Sequence, residues 1–269
     1  MKFEEIDSIV GGVPYIAKRN ARYLYDLILK ERSTRILELG IAHGTATCYM
    51  AAALQELGRG QITAVDLVEA LDFFRPTAEE QLTKTGLMSY VNIVRMQTGY
   101  SWFLHDEIAR NTNAQNVCQE VYDLCIIDGP KNWTIDGGAF FLVDKLLKSN
   151  AWLVFDDYNW TYAQSDKTHA ATDGITHRLL SQVEREVPHI REVFELLVKQ
   201  HPHYGNLVLL DGMCWALAQK TKSAAKTYSI VYRHRRPSRF SRLTSKLGNV
   251  LRSVTGKTTE ESVSRRDAA

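Results

Sequence analysis

The 269-residue chain is short of several things, and each shortage narrows what it can be. It holds four cysteines, Cys48, Cys118, Cys125 and Cys214, with no Cys-x-x-Cys pair among them. That spacing supports neither a disulfide framework nor a zinc knuckle. No apolar run approaches the roughly 20 residues needed to span a bilayer. The opening Met1-Lys-Phe-Glu-Glu-Ile6 lacks the charged-then-apolar layout of a secretory signal, so the expected compartment is the cytoplasm. A Gly-x-Gly-x-x-Gly turn is missing too, which argues against a loop built around a dinucleotide pyrophosphate.

One absence is local. From Lys220 to Thr259 there are 11 Lys/Arg and no acid. Residues 1–219 carry 20 Lys/Arg and 28 Asp/Glu, a net −8, whereas residues 220–269 carry 13 and 3, a net +10. The overall +2 therefore hides an acidic body (1–219) and a basic tail (220–269). The body is long enough for one good core and short of two ordinary domains. In the tail, Phe240, Leu243, Leu247, Val250, Leu251 and Val254 recur at near-helical spacing. A basic amphipathic helix of this kind suits an anionic membrane surface, giving peripheral attachment. An extension packed on the acidic body or on a partner subunit accounts for it equally well. Nucleic acid ranks third, because the tail has no series of aromatics for stacking bases.

What is present is organised around Arg35-Ile-Leu-Glu-Leu-Gly-Ile-Ala-His-Gly44 and the run Thr45–Leu54 behind it. It reads as a short apolar strand, a glycine turn and the first turns of a helix, the place where open α/β sheets bind ligands. Gly40 and Gly44 let backbone approach a ligand closely. Glu38 would repel phosphate but can accept hydrogen bonds from an ammonium group. Gly58-Arg-Gly60 ends the helix, and Gln61–Asp66 reads as a second strand. Asp66 at its end is placed to accept the two hydroxyls of a ribose. The first expectation is thus a nucleoside-like ligand with a cationic tail.

Around this motif, Pro14–Glu31 carries a helical stripe expected to pack across the sheet edge and to serve as a lid. Ala78–Thr85 reads as helix and Val91–Met96 as a third strand; Thr98–Ser101 is a loop able to line an adenine pocket. Trp102–Asn116 reads as helix followed by a polar connector. Val121–Asp128 and Ala151–Phe155 are near-continuous apolar strands suited to a parallel sheet covered on both faces. Helices are expected over Asp136–Lys148 and Ile175–Val187. Strands around Val193–Val198 and Asn206–Leu210, with Trp215–Ala218, are expected to make an antiparallel hairpin. The architecture is α/β: a doubly wound, mostly parallel seven-stranded sheet with an antiparallel hairpin at one edge.

Asp128, Asp156 and Asp157 each follow a hydrophobic strand on the side where the glycine turn opens. Converging carboxylates repel one another unless neutralised, and a hard divalent cation with oxygen ligands answers that need; a cap on the next turn is the plainer role for any one of them. Lys131, three residues beyond Asp128, is a candidate general base if its pKa is lowered there, or else a solvated loop lysine. His169 and His177 are further candidates for the base. Trp133, Tyr158, Trp160 and Tyr162 crowd the same mouth and suit a water-poor wall for an organic substrate.

These residues resemble the class I S-adenosylmethionine-dependent methyltransferases. Ile36-Leu-Glu-Leu-Gly-x-x-x-Gly44 is similar to their first motif, and Asp66 falls where their ribose-binding acid ends the second strand. The resemblance, over roughly residues 12–218, is closest to the Mg²⁺-dependent O-methyltransferases, including catechol O-methyltransferase and the macrocin and aminocoumarin sugar O-methyltransferases. Asp128-Gly-Pro-Lys131 looks like the catechol enzyme's metal aspartate followed by a lysine base, where sugar-modifying relatives carry Asp-Gly-x-His. Asp156-Asp157 matches the second metal pair. The resemblance implies a Rossmann-like methyltransferase fold, with Glu38, Gly40, Gly44 and Asp66 on S-adenosylmethionine. It implies Mg²⁺ on Asp128, Asp156 and Asp157, Lys131 and Asp128 as catalytic groups, and a small hydroxyl-bearing acceptor of sugar, polyketide-like or phenolic type. An RNA methyltransferase recruited by the tail and a cofactor-binding scaffold without turnover are the two rival expectations.

Overall fold

A computed structural model describes residues 1–165 and 180–221. His169, His177, the first five residues of the expected helix Ile175–Val187 and the tail from 222 onward lie outside the described residues. Seven strands form one sheet: β1 (Arg35–Leu39), β2 (Gln61–Leu67), β3 (Val91–Met96), β4 (Tyr122–Ile127), β5 (Leu147–Phe155), β6 (Tyr204–Leu210) and β7 (Trp215–Lys220). Their order is β3-β2-β1-β4-β5-β7-β6. The first five pair in parallel, and β7 runs antiparallel to both β5 and β6. The order reverses between β1 and β4, and a crevice opens at such a switch point outside the strands' carboxyl ends.

Helices cover both faces. On one lie α1 (Phe3–Val10), α2 (Lys18–Glu31), α3 (Thr45–Leu57) and α5 (Ala78–Thr85), which follows the short α4 (Ala70–Phe73). Their buried residues share a core with Ile36, Ile62, Leu124, Ile126, Val154 and Leu217 of the sheet. On the other face, α6 (Tyr100–Asn111) and α7 (Trp133–Asp144) pack with Leu37, Val65, Cys125, Ile127, Leu153 and Phe155. Both faces being covered explains why the central strands read as unbroken apolar runs. Short helices α8 (Tyr162–Ser165), α9 (Gln182–Glu186) and α10 (His189–Glu192) follow the last parallel strand.

Three sequence expectations need correction. Val193–Val198 is a helical turn, not a strand: it continues α10, and Val193, Phe194 and Val198 face the core together. The hairpin is built by β6 and β7 alone. The helix expected over Asp136–Lys148 starts and ends earlier, at Trp133–Asp144, and β5 already begins at Leu147. Asn132 causes the early start, since its side chain accepts from the backbone N–H groups of Thr134 and Ile135 as an N-cap. Helix α1 was not foreseen, although Phe3, Ile6 and Val10 mark its buried stripe.

Asp123 ties the outer ends of three strands together. Its carboxylate accepts from the backbone N–H groups of Thr34 and Arg35, both at 2.9 Å, and from Lys148 at 2.7 Å. Burial pushes this carboxyl up, but Lys148 and the two N–H groups outweigh it and hold it below its usual value. A depressed folded pKa contributes stability above the unfolded value of about 3.9, lost as pH falls through the folded value. Asp123→Asn is therefore expected to lower unfolding stability by about 1–2 kcal/mol at pH 7. In urea titrations the gap to the parent should close in acid below about pH 3.9; a constant gap would contradict it.

Candidate active site

Strand alternation sets the site. Ile36, Ala64, Ile126 and Val154 all face the α1–α3 layer. Two residues on from each, Glu38, Asp66, Asp128 and Asp156 therefore project from the same face at the carboxyl ends of β1, β2, β4 and β5. The backbone N–H of Asp128 still donates to Leu39 O (2.8 Å) and that of Asp156 to Ile127 O (3.2 Å), so the sheet holds both acids in register.

The glycine turn between β1 and α3 is braced from below and behind. Gly40 has φ +89°, and a Cβ there would overlap the Asp128 carbonyl. This contact, rather than a ligand alone, requires glycine, because it lets the ends of β1 and β4 close on each other. Gly44, with φ +71°, is pressed against Ala78 of α5, so its demand is helix packing. Asp66 Oδ2 accepts from the backbone N–H groups of Ile41 and Ala42, each at 2.9 Å, and Oδ1 from Leu67 N at 2.7 Å. The acid expected at a ribose thus also pins the turn. Glu38 is 2% exposed and accepts from Thr47 at 2.6 Å. Burial pushes its carboxyl up to about 8, and Asp128 and Asp66 add to the rise. Such a group gains from a cation brought beside it.

At the other end of the crevice, carboxylate oxygens of Asp128, Asp156 and Asp157 lie within 4.8 Å of one another. Burial raises the pKa of Asp128 and Asp156, and the neighbouring carboxylates raise them further. Lys131 Nζ donates to Asp128 Oδ1, lies 3.2 Å from the Asp128 carbonyl and is 3.6 Å from Asp157. Burial alone would pull its pKa down, but the charges of Asp128, Asp157 and Asp156 outweigh that and hold it well above the usual lysine value. Lys131 is thus paired with the acids through Asp128 and Asp157. Both Lys131 (φ +59°) and Asp157 (φ +56°) sit in the left-handed region, a conformation that a non-glycine side chain keeps only when its surroundings hold it there.

Several of those surroundings were not singled out as site residues from the sequence. The Tyr100 hydroxyl passes beneath Gly129 and donates to Asp136, which is 0% exposed, so Tyr100 braces the loop. Asp136 in turn accepts from Asn132 N at 2.6 Å, and burial pushes its carboxyl up to about 6. The Tyr162 hydroxyl donates to Pro130 O at 2.8 Å, and His189 Nδ1 accepts from Trp133 N at 3.0 Å. Tyr162 and Tyr158 therefore pack the loop, Tyr158 through a 2.9 Å bond to Glu195, while Trp133 stays open to solvent. Only distance-resolved packing separates wall from scaffold among these aromatics. A second group, Asp144, His201 and His203, gathers where α7 ends and before β5 begins, and Lys220 is 3.6 Å from Asp144 there.

The acid-rimmed glycine turn and the three strand-end carboxylates thus share one edge of a doubly wound sheet. Residues 37–158 match a family model described as a methyltransferase domain. Solved structures share the fold. A putative caffeoyl-CoA O-methyltransferase from Staphylococcus aureus superposes with a TM-score of 0.55 at 20% identity, covering 82% of this chain and 92% of that one. An O-methyltransferase from Bacillus cereus, in complex with SAH, gives 0.54 at 17% identity over 81% and 90%. The SAH-bound methyltransferase of Podospora anserina gives 0.56 at 14% over 82% and 87%. No curated protein sequence matches the chain significantly. Among the described residues, no helix is long and apolar enough to cross a membrane.

Proposed function

We propose that the protein transfers a methyl group from S-adenosylmethionine to a hydroxyl oxygen of a small organic acceptor, assisted by a divalent cation such as Mg²⁺. The observation that carries this reading is the convergence of Asp128, Asp156 and Asp157 at the same strand ends as the glycine turn. The likeness to a putative caffeoyl-CoA O-methyltransferase and to an O-methyltransferase in complex with SAH, the demethylated form of that cofactor, supports it.

The chain's own groups fit the two ligands. Glu38, buried and with Thr47 as its one hydrogen-bond donor among the described residues, suits the cofactor's ammonium end, which would restore it to the ionised form. Gly40 lets the turn beside it close on the end of β4, and Asp66, partly open beyond the turn it pins, suits the ribose. The sulfonium supplies an activated methyl group. The acid set is all oxygen, the donor type a hard cation prefers, and a bound cation supplies Lewis-acid stabilisation of an acceptor oxygen. Asp128, Asp156 and Asp157 then fix where that oxygen rests, and much of the catalysis is positioning for in-line transfer. Lys131 keeps its proton while it alone balances the acids. Relieved of that duty, its amine is the group nearest the acids to take the acceptor's proton.

Calorimetry with S-adenosylmethionine, with and without Mg²⁺, tests the reading together with turnover of a panel of sugar, catechol and polyketide diols. Cofactor binding without metal and turnover that stops in chelator are expected. Unchanged turnover in chelator would remove the metal, and no cofactor binding would reject the assignment. Salt-sensitive RNA binding as the sole activity would favour the tail-recruited RNA enzyme instead.

A further inference from the structure

Asp156 has a partner that none of the readings above uses. One position beyond the last partners of the β5–β7 pairing, Phe155 and Ala216, Asp156 and Trp215 come face to face. The Trp215 indole N–H donates to Asp156 Oδ1 at 2.6 Å, and the backbone N–H of Asp157 donates to the same oxygen at 2.7 Å. Both bonds fall on Oδ1 and neither occupies Oδ2. An indole N–H is a donor that cannot turn into an acceptor or lose its proton. It therefore favours the ionised carboxylate and fixes its rotation about the Cβ–Cγ bond.

The indole is itself held. Trp215 is 3% exposed, and the ring of Tyr23 on α2 meets it edge-on, at 6.2 Å between centroids and 80° between planes. One turn earlier on the same helix face, Asn20 Nδ2 donates to Met213 O at 3.0 Å, tying down the turn that leads into Trp215. Asn20 is 7% exposed, so this bond is made inside the protein and not on its surface.

We infer that Trp215, clamped by Asn20 and Tyr23 of the N-terminal helix, is a positioning residue that orients Asp156 for cation binding and so sets the affinity of the metal site. This rests on the metal reading of the acidic cluster. Ligating carboxylates are commonly hydrogen-bonded in turn, and losing such an outer partner weakens metal binding by about 10- to 100-fold. It also gives α2 a function beyond covering the sheet: through Trp215 its placement reaches a ligand of the ion.

The test is Mn²⁺ titration of the full chain by calorimetry, in the parent and in Trp215→Phe, Asn20→Ala and Asp156→Asn. The phenyl ring keeps most of the packing and removes the N–H. Trp215→Phe should weaken Mn²⁺ binding by about 10- to 100-fold, with S-adenosylmethionine affinity within threefold of the parent. Asn20→Ala should shift it in the same direction by less. The cofactor titration separates a lost hydrogen bond from a damaged fold, and Asn20→Ala carries the test if Trp215→Phe does not fold. Parent-like Mn²⁺ affinity in both variants, with binding lost in Asp156→Asn, would overturn the inference and leave the metal reading standing. No saturable Mn²⁺ binding to the parent would overturn both.

Discussion

Asp156→Ala should reduce metal-dependent turnover by about 10³-fold, equivalent to roughly 4 kcal/mol of transition-state stabilisation, while S-adenosylmethionine binds nearly as before. The split follows from the layout of the crevice. Asp156 ends β5, two strands from the turn that carries Glu38 and Gly40, with β4 in between. Among the described residues its side chain accepts from Trp215 and from the backbone of Asp157, neither of them part of the Glu38–Gly40 turn. The change also removes one of the charges facing Lys131, which loosens the compensation of the remaining two. Steady-state kinetics across Mg²⁺ concentrations, paired with cofactor calorimetry on the metal-free protein, would read both halves. A variant that loses cofactor affinity in parallel with turnover would show that the cofactor and metal ends of the crevice are not separable as described.

Gly40→Ala is expected to be as severe, for a different reason. The residue adopts φ +89°, and the added methyl would overlap the Asp128 carbonyl. The left-handed conformation costs an L-residue roughly 1–2 kcal/mol, and crowding a packed contact typically costs about 1–3 kcal/mol more. Relief would require β1 and β4 to separate at their carboxyl ends, where the N–H of Asp128 bonds to Leu39 O. The variant should therefore lose about 2–5 kcal/mol in chemical denaturation and lose cofactor affinity and metal affinity together. Gly44→Ala, pressed on Ala78 instead, should destabilise the α3–α5 packing with less effect on the metal end. Equal stability of parent and Gly40→Ala would contradict the close approach of the two strands.

The two-residue alternation made much of this legible in advance. Ile36 and Glu38, Ala64 and Asp66, Ile126 and Asp128, and Val154 and Asp156 repeat one pattern of buried residue, spacer and acid. Any strand that pairs in register must bring those acids to one face. The glycine turn and the apolar runs likewise announced a doubly wound sheet. Other features depend on partners far apart in the chain. Trp215 and Asp156 are 59 residues apart, and Tyr100 and Asp136 are 36 apart. No local pattern marks such pairs. Val193-Phe-Glu-Leu-Leu-Val198 misled because β-branched and aromatic residues suit strands. Its buried positions, Val193, Phe194 and Val198, nevertheless follow a helical spacing that alternation cannot produce. Lys131 shows the limit of reading roles from motifs. The charges that bear on its proton are those of Asp128, Asp157 and Asp156, which the spacing Asp-Gly-Pro-Lys alone does not bring together.

The placement of β7 bears on how the molecule is made. This strand is the latest described element in the chain, yet it lies inside the sheet, between β5 and the edge strand β6. During vectorial synthesis β5 emerges more than 60 residues before its inner neighbour, from Trp215 onward. Until then β5 presents an unpaired edge, a template for wrong pairing with another chain. Asp156 lacks its indole partner over the same interval. The nascent chain therefore gives Asp156 its indole donor only when its sheet closes, and a ribosome stalled before Trp215 would expose an aggregation-prone intermediate.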